Sequence, residues 1–310
     1  MPASCSIVSL LPCYYAEVTV LILILDHGVS YISPNLDDHG PCSKTDTSQN
    51  AGHVAQGIRP ASYHVLTETS TYHILAIDYR GFGHSTGSPT EEGLILDASA
   101  AVDWALHVAG LSPDRIVLLG QSLGTAVVAA VSERYALRGI DFAGVVMVAG
   151  FSSLPTMLSG YAIAGWVPVL RPLKAVPFLL QKVLSFVVDK WESKERLRGL
   201  VHAVKARNGR LRLHLVHARN DWDIPYHEDD KLFAAAVNGT IEGNDGIDPG
   251  ALAEEKERRT VRRGKDAFVT LWKDGDVEIR QELFPTGGKS FRLDRSDSVE
   301  HGTNTALRAQ

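Results

Sequence analysis

The sequence predicts an α/β protein, and three observations predict it. Short apolar runs rich in β-branched residues recur along the chain. Stretches of helical composition separate them, and turn-forming or chemically active residues close them. Runs that are apolar on successive residues, without alternation, mark strands buried on both faces, as in a parallel sheet covered by helices.

The first such run is Val18–Leu25 (VTVLILIL), read as a central parallel strand. The apolar stretch Ile7–Leu25 that contains it is interrupted by Pro12 and Glu17 and lacks a preceding Lys or Arg, which disfavours a signal peptide or membrane anchor. His73–Ile77 (HILAI) follows and ends in Asp78. Arg115–Leu119 (RIVLL) comes after the turn Ser112-Pro113-Asp114, and Phe142–Val148 (FAGVVMV) ends in Ala149-Gly150. Leu211–Val216 (LRLHLV) ends in His217, and Val277–Phe284 (VEIRQELF) follows Lys273-Asp274-Gly275. Glu91–Val108 and Thr125–Ala136 have helical composition. A single domain over residues 1–310 is expected, with helices on both faces of a mostly parallel sheet.

Two segments break this rhythm. Residues 152–191 are apolar and punctuated by Pro155, Pro168, Pro172 and Pro177, a pattern expected of a lid over a pocket; the prolines argue against a membrane span. Residues 238–265 turn from glycine-rich to densely charged and are expected as a solvated surface insertion.

Composition narrows the function. With 45% apolar and 22% charged residues the chain is globular, and a net charge of −5 gives no footprint for nucleic acid. The three cysteines, Cys5, Cys13 and Cys42, form neither a disulfide framework nor a zinc-ligand spacing.

The decisive motif is Gly120-Gln121-Ser122-Leu123-Gly124, between the strand RIVLL and the helix TAVVAAVSERYA. A G-x-S-x-G in that context is a nucleophile elbow: flanking glycines permit a sharp strained turn, and the serine hydroxyl stands above the sheet edge. The Leu123 N–H, at the helix start, is placed to meet a developing oxyanion. An acid is expected downstream at the end of a strand. Asp221, in His217-Ala-Arg-Asn-Asp221-Trp-Asp223-Ile-Pro225, fits that place, and Asp223 fits a plain turn aspartate better. Only His227 and His301 lie beyond Asp221; His227 is too close to reach back over Ser122, which leaves His301 as the base.

Asp78-Tyr-Arg-Gly-Phe-Gly-His-Ser-Thr-Gly-Ser-Pro89, Thr90-Glu-Glu-Gly-Leu-Ile-Leu-Asp97, GQSLG and HARNDWDIP together resemble the α/β-hydrolase-domain serine lipases, in the branch of the monoacylglycerol and lysophosphatidylserine lipases. The resemblance runs from about Asn50 to about Pro285. It implies the α/β-hydrolase fold, hydrolysis of esters of monoacyl lipids by a Ser122–Asp221–His301 triad, no cofactor, and peripheral membrane association. It implies a structural role for Arg80 and the DYRGFG turn.

The second oxyanion donor of that family comes from an H-G-N-A-G loop. Here its parts are separated: LILILDHG ends at Gly28 and NAGH begins at Asn50. Asn50 is the expected donor, and Val29–Gln49 is read as a translated, unremoved intron; sequencing of transcripts checks this, and its presence in essentially all messages refutes it. Residues 289–298, after Gly287-Gly288, are read the same way. A rival reading keeps the scaffold without catalysis, as a lipid-binding or interaction module.

Overall fold

The computed structural model describes residues 18–25, 63, 66–67, 72–83, 85–160, 162–163, 167–168, 188–221, 223–241 and 246–287. Asn50, His301, Val29–Gln49, residues 289–298, all three cysteines and most of the expected lid lie outside them.

Strands β1 (Val18–Leu25), β2 (Tyr72–Ala76), β3 (Ile116–Ser122), β4 (Gly144–Val148), β7 (Leu211–Ala218), β8 (Thr260–Arg262), β9 (Phe268–Asp274) and β10 (Val277–Phe284) form one sheet in the order β2-β1-β3-β4-β7-β10-β9-β8. A two-residue ladder, β5 (Ala162–Ile163) with β6 (Val167–Pro168), stands apart. The centre β3-β4-β7-β10 is parallel, so all four strands end at one edge of the sheet. Helices are α1 (Glu91–Asp103), α2 (Leu123–Ala136), α3 (Leu154–Gly160), α4 (Ser193–Ala206), α5 (His227–Asn238) and α6 (Pro249–Arg258).

The alternation of the central strands sorts their side chains to two cores. Leu118, Met147, Leu213, Leu215 and Ile279 pack with α1, α2, α4 and α5. Val117, Leu119, Val146, Val148 and Val216 face the other way, toward Tyr63 and Leu66. Both faces are therefore apolar, and the runs needed no polar alternation. Among the described residues no helix is long and apolar enough to cross a membrane.

One expectation is corrected, and one strand is added to those expected. β1 is central, between β2 and β3, but it runs antiparallel to both, with Val18 beside Ser122 and Leu25 beside Tyr72. A strand apolar on successive residues carries no alternation to specify its direction. Beyond β10 the sheet turns antiparallel: β9, missed in the sequence, pairs antiparallel with β10 across the tight turn at Gly275 (φ 60°). The 238–265 stretch is folded as well as charged. Asp248 caps α6 by accepting the Ala251 N–H at 3.0 Å, Leu252 is buried, and Val261 lies in the edge strand β8.

Polar ties fix the loops around the parallel edge. Arg80 meets the Asp97 carboxylate through its guanidinium (2.6 and 3.0 Å) and its backbone N–H (3.0 Å). Burial pushes Asp97 up, but those donors outweigh it and hold the group below the usual carboxylate range. The two ends of residues 152–191 meet: Leu154 donates to the Lys190 carbonyl at 2.9 Å and Lys194 to that of Ser152 at 3.0 Å. Glu228, at the start of α5, accepts from the Ser152 N–H (2.8 Å) and hydroxyl (2.6 Å), and pairs with Lys231.

Burial pushes the Glu228 carboxyl up, and the donors from Lys231 and Ser152 bring it below its usual value of 4.5. A carboxylate depressed in the folded state stabilises above its unfolded pKa, and that contribution fades as pH falls through the folded value. Glu228→Gln is therefore expected to cost about 1–3 kcal/mol at pH 7. Denaturant melts at pH 7 and pH 3 check this, with the gap from wild type closing at the lower pH.

Candidate active site

Ser122 ends β3 and α2 begins at the next residue. Its backbone sits at φ 52° and ψ −123°, a region L-residues rarely occupy and one that costs on the order of 1–3 kcal/mol. The cause lies in the flanking glycines. A Cβ at Gly120 would stand 2.4 Å from the Gly124 carbonyl oxygen and 2.9 Å from the Thr125 Cα, so the helix backbone rests directly on the strand. The Thr125 hydroxyl donates to the Ser122 carbonyl at 2.6 Å and closes the turn. Leu123, buried, is the first residue of α2, so its N–H is among those at a helix start that have no intrahelical acceptor. That is the electropositive end of the helix, beside the serine.

The ladder places the acid. Gln121 pairs with Val148 and Val148 with Val216, so Ser122 and His217 stand one residue beyond on the same row, two strands apart. Two strand spacings are about 10 Å. After β7 the chain turns at once: Asp221 N–H donates to the Ala218 carbonyl at 3.2 Å. The Asp221 Oδ1 accepts the N–H groups of Asp223 (2.9 Å) and Ile224 (3.0 Å), leaving Oδ2 as the oxygen outside the turn. The turn role expected of Asp223 therefore belongs to Asp221: its side chain, three residues before Ile224, is the one that reaches the exposed N–H pair. β10 ends beside β7, so the chain leaves Phe284 at the same edge.

His227 stays on the surface, its ring against Tyr226 and its Nδ1 3.4 Å from Asp230. Among the described residues no group of three or more His, Cys, Asp or Glu could hold a metal ion.

Two buried groups at the acid turn escaped the sequence reading. His217 donates from Nε2 to the Ile224 carbonyl at 2.9 Å, and its Nδ1 lies 3.2 Å from the Asp229 carboxylate, off the line of a straight hydrogen bond. Both side chains are 1% exposed. Burial disfavours the imidazolium, yet the Asp229 and Asp221 carboxylates outweigh it and raise His217; burial raises Asp229. The two groups thus lie in charge contact inside the protein. In the sequence His217 was only the residue after an apolar run, and Asp229 one of three acids in a first helical turn.

Comparison with known proteins places this geometry in context. A profile described as "Alpha/beta hydrolase family" matches residues 23–282. The chain is 29% identical to human protein ABHD12B over 192 residues, 61% of this chain and 48% of that protein. It is 25% identical to the chicken lysophosphatidylserine lipase ABHD12 over 188 residues, 61% of this chain and 45% of that protein. The chain thus spans about half the length of these curated relatives. Among solved structures, an alpha-beta hydrolase from Vibrio vulnificus superposes with a TM-score of 0.46 at 18% identity, covering 59% of this chain and 58% of that one.

The contact of Gly120 with backbone atoms leaves a side chain nowhere to go. Gly120→Ala is expected to destabilise by about 3 kcal/mol, the upper end for overpacking. A thermal melt that matches wild type would contradict the strand–helix contact.

Proposed function

Since the chain belongs to the α/β-hydrolase family, we propose that it is a serine hydrolase cleaving carboxylic esters of monoacyl lipids, a monoacylglycerol or a lysophospholipid. The observation that carries this reading is the strained Ser122 at the edge where the parallel strands end, two strands from the Asp221 turn.

In this mechanism Ser122 Oγ attacks the ester carbonyl carbon as His301 takes its proton. Asp221, through Oδ2, orients the His301 ring and stabilises the imidazolium. Charge gathers on the carbonyl oxygen, where the Leu123 and Asn50 N–H groups receive it. Collapse expels the alcohol, glycerol or lysophospholipid head, which takes the proton back from His301. Water then enters by the same route and releases the fatty acid. The apolar composition of residues 152–191 supports an acyl chain as the substrate's other half, and the similarity to a lysophosphatidylserine lipase supports the same class. Peripheral association with a membrane follows from such a substrate.

β1 bears on the oxyanion donor. Val18 to Leu25 spans about 24 Å, which leaves Leu25 at the edge away from Ser122. The chain as written has ample length from Leu25 to Asn50 to return. With Val29–Gln49 removed, four residue steps remain, about 14 Å at most. In that shorter form Asn50 reaches Ser122 only if β1 runs parallel. The shorter form therefore requires the direction of β1 opposite to the one it takes here, whereas the chain as written allows this one.

Labelling by a fluorophosphonate probe tests the reading. Ser122 is expected to label, and Ser122→Ala to abolish labelling and lower turnover of a monoacyl lipid ester by roughly 10⁶-fold. A loss under about tenfold refutes the nucleophile. A folded chain that binds monoacyl lipid without labelling or turnover supports the non-catalytic alternative, and the chain lacking Val29–Gln49 then shows whether that segment is responsible.

A further inference from the structure

We infer that His217 is a positioning residue for Asp221: it clamps the 221–224 turn from inside the sheet and so sets where the second carboxylate oxygen is presented. The inference rests on the reading of Ser122 and Asp221 given above.

The turn has two fastenings. One is its own, the Asp221 Oδ1 accepting from the N–H groups of residues 223 and 224. The other comes from behind. A carbonyl oxygen only accepts, so His217 Nε2 carries the proton it gives to Ile224 at 2.9 Å. Residue 224 thus receives His217 on its carbonyl while giving its N–H to Asp221. Moving the ring moves the peptides on which Asp221 rests.

The ring is itself held. It projects from the last turn-proximal part of β7, is 1% exposed, and has Asp229 of α5 at 3.2 Å from Nδ1. The Asp221 Oδ2 lies 3.8 Å from Nε2, too far for a hydrogen bond but close enough to feel its charge. Asp229 in turn feels Asp230 and Lys256. Two carboxylates thus face one imidazole inside the protein, so its place is fixed from both sides. A histidine serving only the core would need neither the tie to Ile224 nor a buried acid on its far side; a leucine fills such a place without either cost.

A positioning role differs from a packing role in acting through Asp221. Second-order labelling by the fluorophosphonate, and kcat and KM on a monoacylglycerol, are measured for wild type, His217→Ala, His217→Gln, Asp221→Asn and the double variant His217→Ala/Asp221→Asn. Circular dichroism checks that each is folded. His217→Ala is expected to lower the labelling rate and kcat by about 10–100-fold, with KM within about twofold, as misplacement by an ångström does. His217→Gln, whose amide reaches the same carbonyl, recovers most of the loss. The double variant is as slow as Asp221→Asn alone, because the coupled effects do not add. Asp229→Asn, nearly isosteric, carries the same cycle if the alanine variant does not fold. Effects that multiply in the double variant, or a folded His217→Ala variant labelling at the wild-type rate, overturn the proposal. A wild-type chain that does not label overturns both the proposal and the reading beneath it.

Discussion

The site depends on one steric constraint: helix α2 lies so close to strand β3 that residue 120 has no room for a Cβ. Given that approach, the chain must reverse from strand to helix within a single residue, and Ser122 absorbs the reversal in a left-handed backbone. The position of the hydroxyl, the exposure of a helix start beside it and the row shared with β4 and β7 all follow. A strain of this size persists only where surrounding packing over-determines it. Here that packing is Val127, Val128 and Val131 of α2, all essentially fully buried, with the strand residues Ile116 and Leu118 beneath them.

The parallel centre of the sheet turns that local constraint into a site. Because β3, β4, β7 and β10 share a direction, the elbow, the positive-φ Ala149, the acid turn and the exit of β10 lie on one edge. Behind that edge sits a second layer of polar anchors: Glu228 holding Ser152, and His217 between Ile224 and Asp229. Buried polar groups stabilise little net but fix geometry, since any rearrangement strands a donor or a charge. Three of these anchors, His217, Glu228 and Asp229, lie within twelve residues of one another around the acid turn.

What could be read in the sequence was what local chemistry encodes. Runs such as Phe142–Val148 declared strands because burial on both faces leaves no room for polar residues, and the elbow declared itself because only glycines permit its approach. The direction of β1 was not legible, because VTVLILIL buries equally well either way. β9 was hidden because FVTLWKD alternates only loosely and abuts a charged stretch. The turn role of Asp221 depended on which of two aspartates reaches two N–H groups, and Asp229 on which acid of a helix start faces inward. Such features arise from pairing across tens of residues. Asn50, taken from the resemblance, and His301, reached by elimination, lie outside the described residues.

The meeting of residues 152–154 with 190–194 has a wider consequence. Those backbone bonds hold the two ends of the segment together, whatever the length of chain between them. Doubling the length of such a loop costs about 0.6 kcal/mol in closure entropy. Variation there is thus nearly uncoupled from the stability of the elbow and the acid turn. Selection can act on that segment by insertion, deletion or wholesale exchange, while the elbow and the acid turn keep the same coordinates.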